Sequence, residues 1–128
     1  MRFVEREARR GRHYDGILLD PPKYGRGPKG ERWRIESDLV PMMQACRGLL
    51  SETPLFLLLT IYAIRASSQA AHFAMADIVA ALGGEVTSGE LVIAEDPPVR
   101  TRTVKTQADE AISPRVISQA NFARWTPF

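Results

Sequence analysis

The chain has 128 residues, 45% of them apolar and 25% charged, with a formal net charge of +2. That length allows one domain with a real core and is too short for two, and the composition is that of an ordinary soluble globular protein. The single cysteine, Cys46, excludes an internal disulfide and a cysteine-based zinc site, while the lack of a signal peptide or long apolar span points to the cytoplasm.

Met1 to about Arg10 reads as a short helix with nothing before it to serve as an N-cap, as a chain starting inside a helix would. Arg2, Arg6, Arg9, Arg10, Arg12 and His13 cluster here. Two readings of this cluster stand: contact with a phosphate backbone, or a solvated helix face salted with Glu5 and Glu7. From about Tyr14 to Leu19 the continuous apolar run Ile17, Leu18, Leu19 is that expected of a parallel strand covered on both faces. Pro21 and Pro22 then stop ladder pairing and set an extended path. Asp20 is left at the carboxyl end of the strand, where open α/β sheets collect their ligands. A Gly/Pro/Lys/Arg-rich loop runs on to about Ile35. Its Lys23, Arg26, Lys29, Arg32 and Arg34 form a second basic cluster, which beside a strand end fits nucleic acid.

Ser37 or Asp38 can cap a helix whose Leu39, Met42, Met43, Cys46, Leu49 and Leu50 keep one face apolar, which puts Pro41 in its first turn. Leu55 to Leu59 is a second buried strand, set off by Pro54. Ser67 or Ser68 opens an alanine-rich helix with Ala71, Met75, Ile78 and Leu82 on one side, closed by Gly83-Gly84. Val86 to Ala94 and about Arg115 to Trp125 read as two final strands, expected to be antiparallel. The order of elements is an α/β layer pattern.

Asp20-Pro21-Pro22-Lys23-Tyr24 resembles the motif after the fourth strand of class I S-adenosylmethionine-dependent methyltransferases. The longer stretch YDGILLDPPKYGRGPKGE resembles the ribosomal RNA large-subunit branch of that superfamily. The likeness covers nearly the whole chain and the C-terminal half of the family's domain. It implies an α/β fold, the C-terminal half of a Rossmann-like seven-stranded sheet ending in an antiparallel strand pair, with residues 1–128 as one partial domain. It also implies S-adenosyl-L-methionine as cofactor and a base in RNA, ribosomal RNA for this branch, as substrate. By the same resemblance Asp20 and the Pro21 carbonyl accept hydrogen bonds from the target amine and border the cofactor, and Pro22 completes the motif. Tyr24 stacks on the base, although it stands one place later than in the usual order, with Lys23 between. Thr60 and Tyr62, at the end of the next strand, form the opposite wall, and Lys23, Arg26, Lys29 and Arg32 hold phosphates.

The family binds its cofactor mainly through a glycine-rich loop and an acidic ribose-binding residue in its first half, and neither has a place in this sequence. The expectation is weak activity or none unless a second copy or a complementing chain covers the exposed sheet. The rival reading is a non-catalytic RNA-binding or assembly module, with Asp20 a plain turn carboxylate.

Several motifs invite misreading. Gly25-Arg26-Gly27-Pro28-Lys29-Gly30 spells G-x-G-x-x-G, but Pro21-Pro22 intervene after the strand, Pro28 removes a donor, and the next helix starts late. A flexible basic lid is the expected use of these glycines. A second Asp96-Pro97-Pro98 lacks the aromatic and reads as a turn. Cys46, on an apolar helix face, reads as an inert core residue. His13 and His72 are too far apart to suggest a metal, and His72 reads as a helix-surface residue.

Overall fold

The computed structural model describes residues 2–62, 64–95 and 115–128; the second Asp-Pro-Pro, at 96–98, lies outside them. The elements are α1 (Arg2–Arg9), β1 (Gly16–Leu19), β2 (Tyr24–Arg26), β3 (Arg32–Arg34), α2 (Ile35–Arg47), β4 (Phe56–Ile61), α3 (Ser68–Val79), β5 (Glu85–Ala94) and β6 (Val116–Thr126). Four strands form one sheet in the order β1-β4-β6-β5, and β2 and β3 form a separate two-stranded ribbon. β1 and β4 are parallel, β6 runs antiparallel to β4, and β5 antiparallel to β6. The α/β class and the closing antiparallel pair are those expected from the sequence.

Strand β4 explains the layering. Its side chains alternate between faces, as in any strand, and Leu57, Leu59 and Ile61 are buried while Phe56, Leu58 and Thr60 are half-buried. The buried face meets Met43 of α2, Ala71, Met75, Ile78 and Val79 of α3, and Ala123 and Trp125 of β6, in one cluster with Ile17 and Leu19 packed against it. Full burial of a Leu, Met or Trp is worth about 1.5–3 kcal/mol, so this single face holds the fold together. Its other face differs from expectation: Leu18 is 60% exposed, so β1 is covered on one side only among the described residues.

The local signals fix most boundaries. Ser67 caps α3 and its side chain accepts the Ala70 amide at 3.2 Å. Gly83 and Gly84 follow the helix with φ of 69° and 98°, a region open to glycine. A Cβ on Gly84 would collide with the Thr126 carbonyl and the Trp125 indole. That indole donates to the Gly83 carbonyl at 2.7 Å, which ties the helix end to β6. Leu82 lies beyond the helix and is exposed rather than on its apolar side. His72 is half-buried and lies 3.3 Å from the Ser88 hydroxyl, so it belongs to the contact between α3 and β5 rather than to the free surface.

Helix α2 starts earlier than expected. Its N-cap is Arg34, with no side-chain cap, and Asp38 accepts the Arg34 amide at 2.7 Å. The first turn is therefore Ile35 to Asp38, and Pro41 sits inside the helix. It removes one i→i−4 bond there, at an exposed position where water reaches the freed carbonyl. The apolar face is as read from the sequence: Met43, Cys46 and Leu49 are buried, and burial pushes the Cys46 thiol above its usual range. No described helix is long and apolar enough to cross a membrane.

Candidate active site

The parallel register pairs Leu19 with Leu59, which brings the next residues, Asp20 and Thr60, level at the carboxyl ends of β1 and β4. The Thr60 hydroxyl donates to Asp20 Oδ1 at 2.5 Å and lies 3.4 Å from the Leu19 carbonyl. One carboxylate oxygen is thus held, and among the described residues Oδ2 has no hydrogen-bond or ion-pair partner. Pro21 is buried behind it. The Pro22 carbonyl accepts the Trp33 indole N–H at 2.6 Å, while no described donor reaches the Pro21 carbonyl. The turn therefore presents one free acceptor, Asp20 Oδ2, on a backbone that the prolines and Trp33 hold still, while Pro21 itself is buried and does not line the adjoining groove.

An open groove of about 360 Å³ lies here, lined by Leu18, Asp20, Thr60 and Tyr62 on one side and by Leu91, Gln119 and Ala120 on the other. The sequence-predicted residues Asp20, Thr60 and Tyr62 thus come together. The wall from β5 and β6 was not foreseen, because only the strand order places Gln119 opposite Asp20. Lys23 and Tyr24 line a neighbouring hollow of about 470 Å³ with Arg34, Glu36 and Ser37. The Tyr24 hydroxyl accepts from Arg26 Nε at 2.7 Å, and its ring is half exposed. Arg26 and Arg32 line a third hollow, between the ribbon and the start of α1.

The segment expected to be a flexible lid is instead an ordered hairpin. Tyr24 pairs with Arg34, Gly25 with Trp33, and Arg26 with Arg32. The Gly27 amide donates to the Glu31 carbonyl, the Gly30 amide to the Gly27 carbonyl, and the Lys29 amide to Glu31 Oε2. These donors close the turn and do not face a phosphate, which disposes of the G-x-G-x-x-G pattern as a cofactor loop. Those turn amides, the Glu31 amide foremost, and nearby Arg2 hold the Glu31 carboxyl below its ordinary range.

The first basic cluster is also built differently from either reading of the sequence. Glu7 is buried and accepts from the Tyr14 hydroxyl at 2.7 Å, Arg10 at 3.2 Å and Arg12 at 3.4 Å, with Arg6 at 3.6 Å. The Tyr14 hydrogen bond first, then Arg12 and Arg10, keep the Glu7 carboxyl below its usual value against the opposing effect of burial. The same bond raises the Tyr14 hydroxyl. Three N-terminal arginines therefore share one buried carboxylate.

No family model and no curated protein matches the chain. Solved structures do. The crystal structure of a SAM-dependent methyltransferase from Agrobacterium tumefaciens matches the whole chain at 44% identity and a TM-score of 0.84, over 38% of its own length. SMU.776, described as a methyltransferase and solved in complex with SAH, matches 98% of the chain and 29% of its own at 17% identity, with a TM-score of 0.51. Precorrin 8w decarboxylase from Methanobacterium thermoautotrophicum matches 98% of the chain and 51% of its own at 13% identity, with a TM-score of 0.50. The last two likenesses concern the fold alone. The Agrobacterium likeness, together with the Asp-Pro-Pro turn at the strand ends, defines a Rossmann-like methyltransferase architecture. The chain corresponds to the C-terminal portion of a class I S-adenosylmethionine-dependent methyltransferase domain, and spans 38% of the length of the Agrobacterium protein.

Proposed function

We propose that the chain forms the acceptor side of an S-adenosylmethionine-dependent methyltransferase acting on a base in RNA, with ribosomal RNA as the substrate. The observation that carries this reading is the Asp20 carboxylate, exposed at the ends of two parallel strands and held by Thr60 through one oxygen. Such a transfer depends chiefly on alignment of acceptor and donor. A fixed acceptor, Asp20 Oδ2, suits an amine that must be held by its N–H groups, and the resemblance adds the Pro21 carbonyl as the second acceptor. Tyr24 supplies an aromatic face for an unpaired base, and the ribbon cations supply phosphate contacts.

When bound, S-adenosylmethionine supplies a methyl group activated as a sulfonium. The residues present fit its methyl-bearing end: Asp20 and Pro21 would border it, with the exposed Leu18 side chain as an apolar edge beside a carboxylate. The chain's own residues orient the base and keep its amine against the carboxylate.

Calorimetric titration with S-adenosylmethionine followed by methyl transfer to ribosomal RNA tests the reading. Asp20→Ala is expected to lower transfer by about 100-fold or more, with RNA affinity within about threefold, since phosphate contacts dominate that term. Full transfer by the Asp20→Ala chain would sink the assignment. RNA binding with neither cofactor binding nor transfer would favour the non-catalytic module.

A further inference from the structure

Strand alternation accounts for every residue of the Asp20 groove but one. Leu59 and Ala123 are cross-strand partners buried in the cluster under the helices, so Thr60 and its partner Phe122 face the other way. By the same count Leu18, Asp20, Tyr62, Leu91 and Ala120 fall on the face of Thr60, and all of them line the groove. Gln119 breaks the rule. It stands two residues before Asn121, whose carboxamide turns to the helix side and donates to the Ala66 carbonyl just ahead of α3. Alternation would send Gln119 the same way, yet it lines the groove.

The cause lies in the ladder. Leu91 pairs with Ala120 and Val92 with Ser118, which leaves Gln119 as the extra residue of a β-bulge. A bulge turns a side chain out of strict alternation and is a common device beside active sites. Here it sets an exposed carboxamide across from Asp20. Among the described residues that carboxamide has no hydrogen-bond partner.

Asp20 needs such a complement. Its Oδ1 already takes the Thr60 hydroxyl, whose proton is engaged there, and an ionised carboxylate can only accept. It can hold an amine N–H, but in cytosine and adenine the ring nitrogen next to the amine is itself an acceptor. That nitrogen requires a donor from elsewhere, and a carboxamide NH2 provides one.

We propose that Gln119 is a base-reading residue of the groove, donating to the ring nitrogen beside an amine that Asp20 holds, so that the substrate base is cytosine or adenine. The proposal rests on the RNA-base reading above and narrows it.

Single-stranded RNA pentamers, uracil throughout except at the centre, test this on the full chain by fluorescence anisotropy. The central base would be cytosine, adenine, their analogues 3-deazacytosine and 1-deazaadenine, or uracil. Each analogue keeps the amine and replaces the ring nitrogen by C–H, so the phosphates and the Asp20 contact are common to both members of a pair. For at least one pair the natural base is expected to bind about tenfold more tightly than its analogue. Gln119→Ala is expected to bring that ratio close to one. Gln119→Glu, of the same shape but with no donor, is expected to abolish or reverse it. Both variants replace an exposed side chain, so their melting temperatures are expected within about 2 °C of the parent. A ratio that survives both substitutions would mean that another group reads the ring nitrogen, and would overturn the proposal. Natural and deaza strands bound alike, but more tightly than uracil, would also overturn it while leaving Asp20 and the RNA-base reading in place. Equal affinity for all the strands, or no binding of any, would overturn both.

Discussion

The two basic clusters are alike in composition and opposite in use. Near the N-terminus, Arg6, Arg10 and Arg12 converge on buried Glu7, which Tyr14 also grips. On the ribbon, Tyr24, Arg26, Arg32 and Arg34 share one face by the two-residue period of the strands, and Gly25 and Trp33 take the other. A helix can bring a carboxylate under cations three residues away, whereas the short ribbon sets Arg26 and Arg32 side by side while its nearest acids, Glu31 and Asp38, are taken by Arg2 and by backbone amides. Cation count therefore says little about nucleic-acid contact; the position of the counter-charge decides it.

The sharpest way to break this comparison is to remove Glu7. Glu7→Ala leaves three guanidinium groups crowded without their anion and the Tyr14 hydroxyl without an acceptor. The arginines are more than half exposed and stay solvated, so the loss comes chiefly from the Tyr14 acceptor and the space the carboxylate filled, and a fall in melting temperature of roughly 5–10 °C is expected by calorimetry. RNA affinity at fixed salt should change little once the protein is folded. If the variant melts like the parent but loses RNA, the first cluster is the nucleic-acid surface and the contrast is reversed.

The second test acts on the ribbon. Arg26→Ala with Arg32→Ala removes two exposed side chains and relieves a like-charge pair, so the melting temperature should hold or rise slightly. The dependence of log affinity for single-stranded RNA on log salt should lose about 1.4 in slope, two phosphates' worth. An unchanged slope would mean that these arginines meet no phosphate.

How far the sequence carries depends on whether a feature is local or assembled. The Ser67 cap, the Gly83-Gly84 stop, the buried strand at Leu57 and Leu59 and the final antiparallel pair all follow from short-range signals, and the structure has them. The Asp-Pro-Pro turn at a strand end was legible for the same reason. Four things were not. The Thr60 bond to Asp20 depends on a parallel register between residues forty positions apart. Gln119 reaches the groove only because β6 inserts between β4 and β5. Glu7 looked like a surface acid because its burial comes from contact with Tyr14 and three arginines, not from an apolar neighbourhood in sequence. The early start of α2 was missed because its cap runs backwards, from the Asp38 side chain to the Arg34 amide, where a forward cap at Ser37 or Asp38 was the nearer pattern.

The smallest effect expected is in the pH dependence, and its sign can be worked out. Glu7 has a folded pKa below its ordinary 4.5, so the stability it contributes is fully present above that value and is lost as pH falls through the folded one. Tyr14 has a folded pKa above its ordinary 10.0, so its contribution is present below that value and is lost as pH rises through the folded one. The Tyr14–Glu7 hydrogen bond is the largest cause of both shifts, with Arg12 and Arg10 adding to that of Glu7. Tyr14→Phe should therefore lower the melting temperature by about 5 °C near neutrality, flatten the alkaline limb and shift the acid limb upward, since Glu7 loses the partner that most lowers its pKa. Glu31 and Glu95 also titrate on the acid side, held down by turn amides near Arg2 and by Arg115 respectively. They are more exposed, so solvent screens them and their share of the acid limb is small. Melting curves between pH 3 and pH 11 for the parent, Tyr14→Phe and Glu7→Gln separate these contributions. If Tyr14→Phe keeps the alkaline limb, the hydroxyl is not bound to Glu7 in solution and the N-terminal arginines are freer than the ribbon comparison requires.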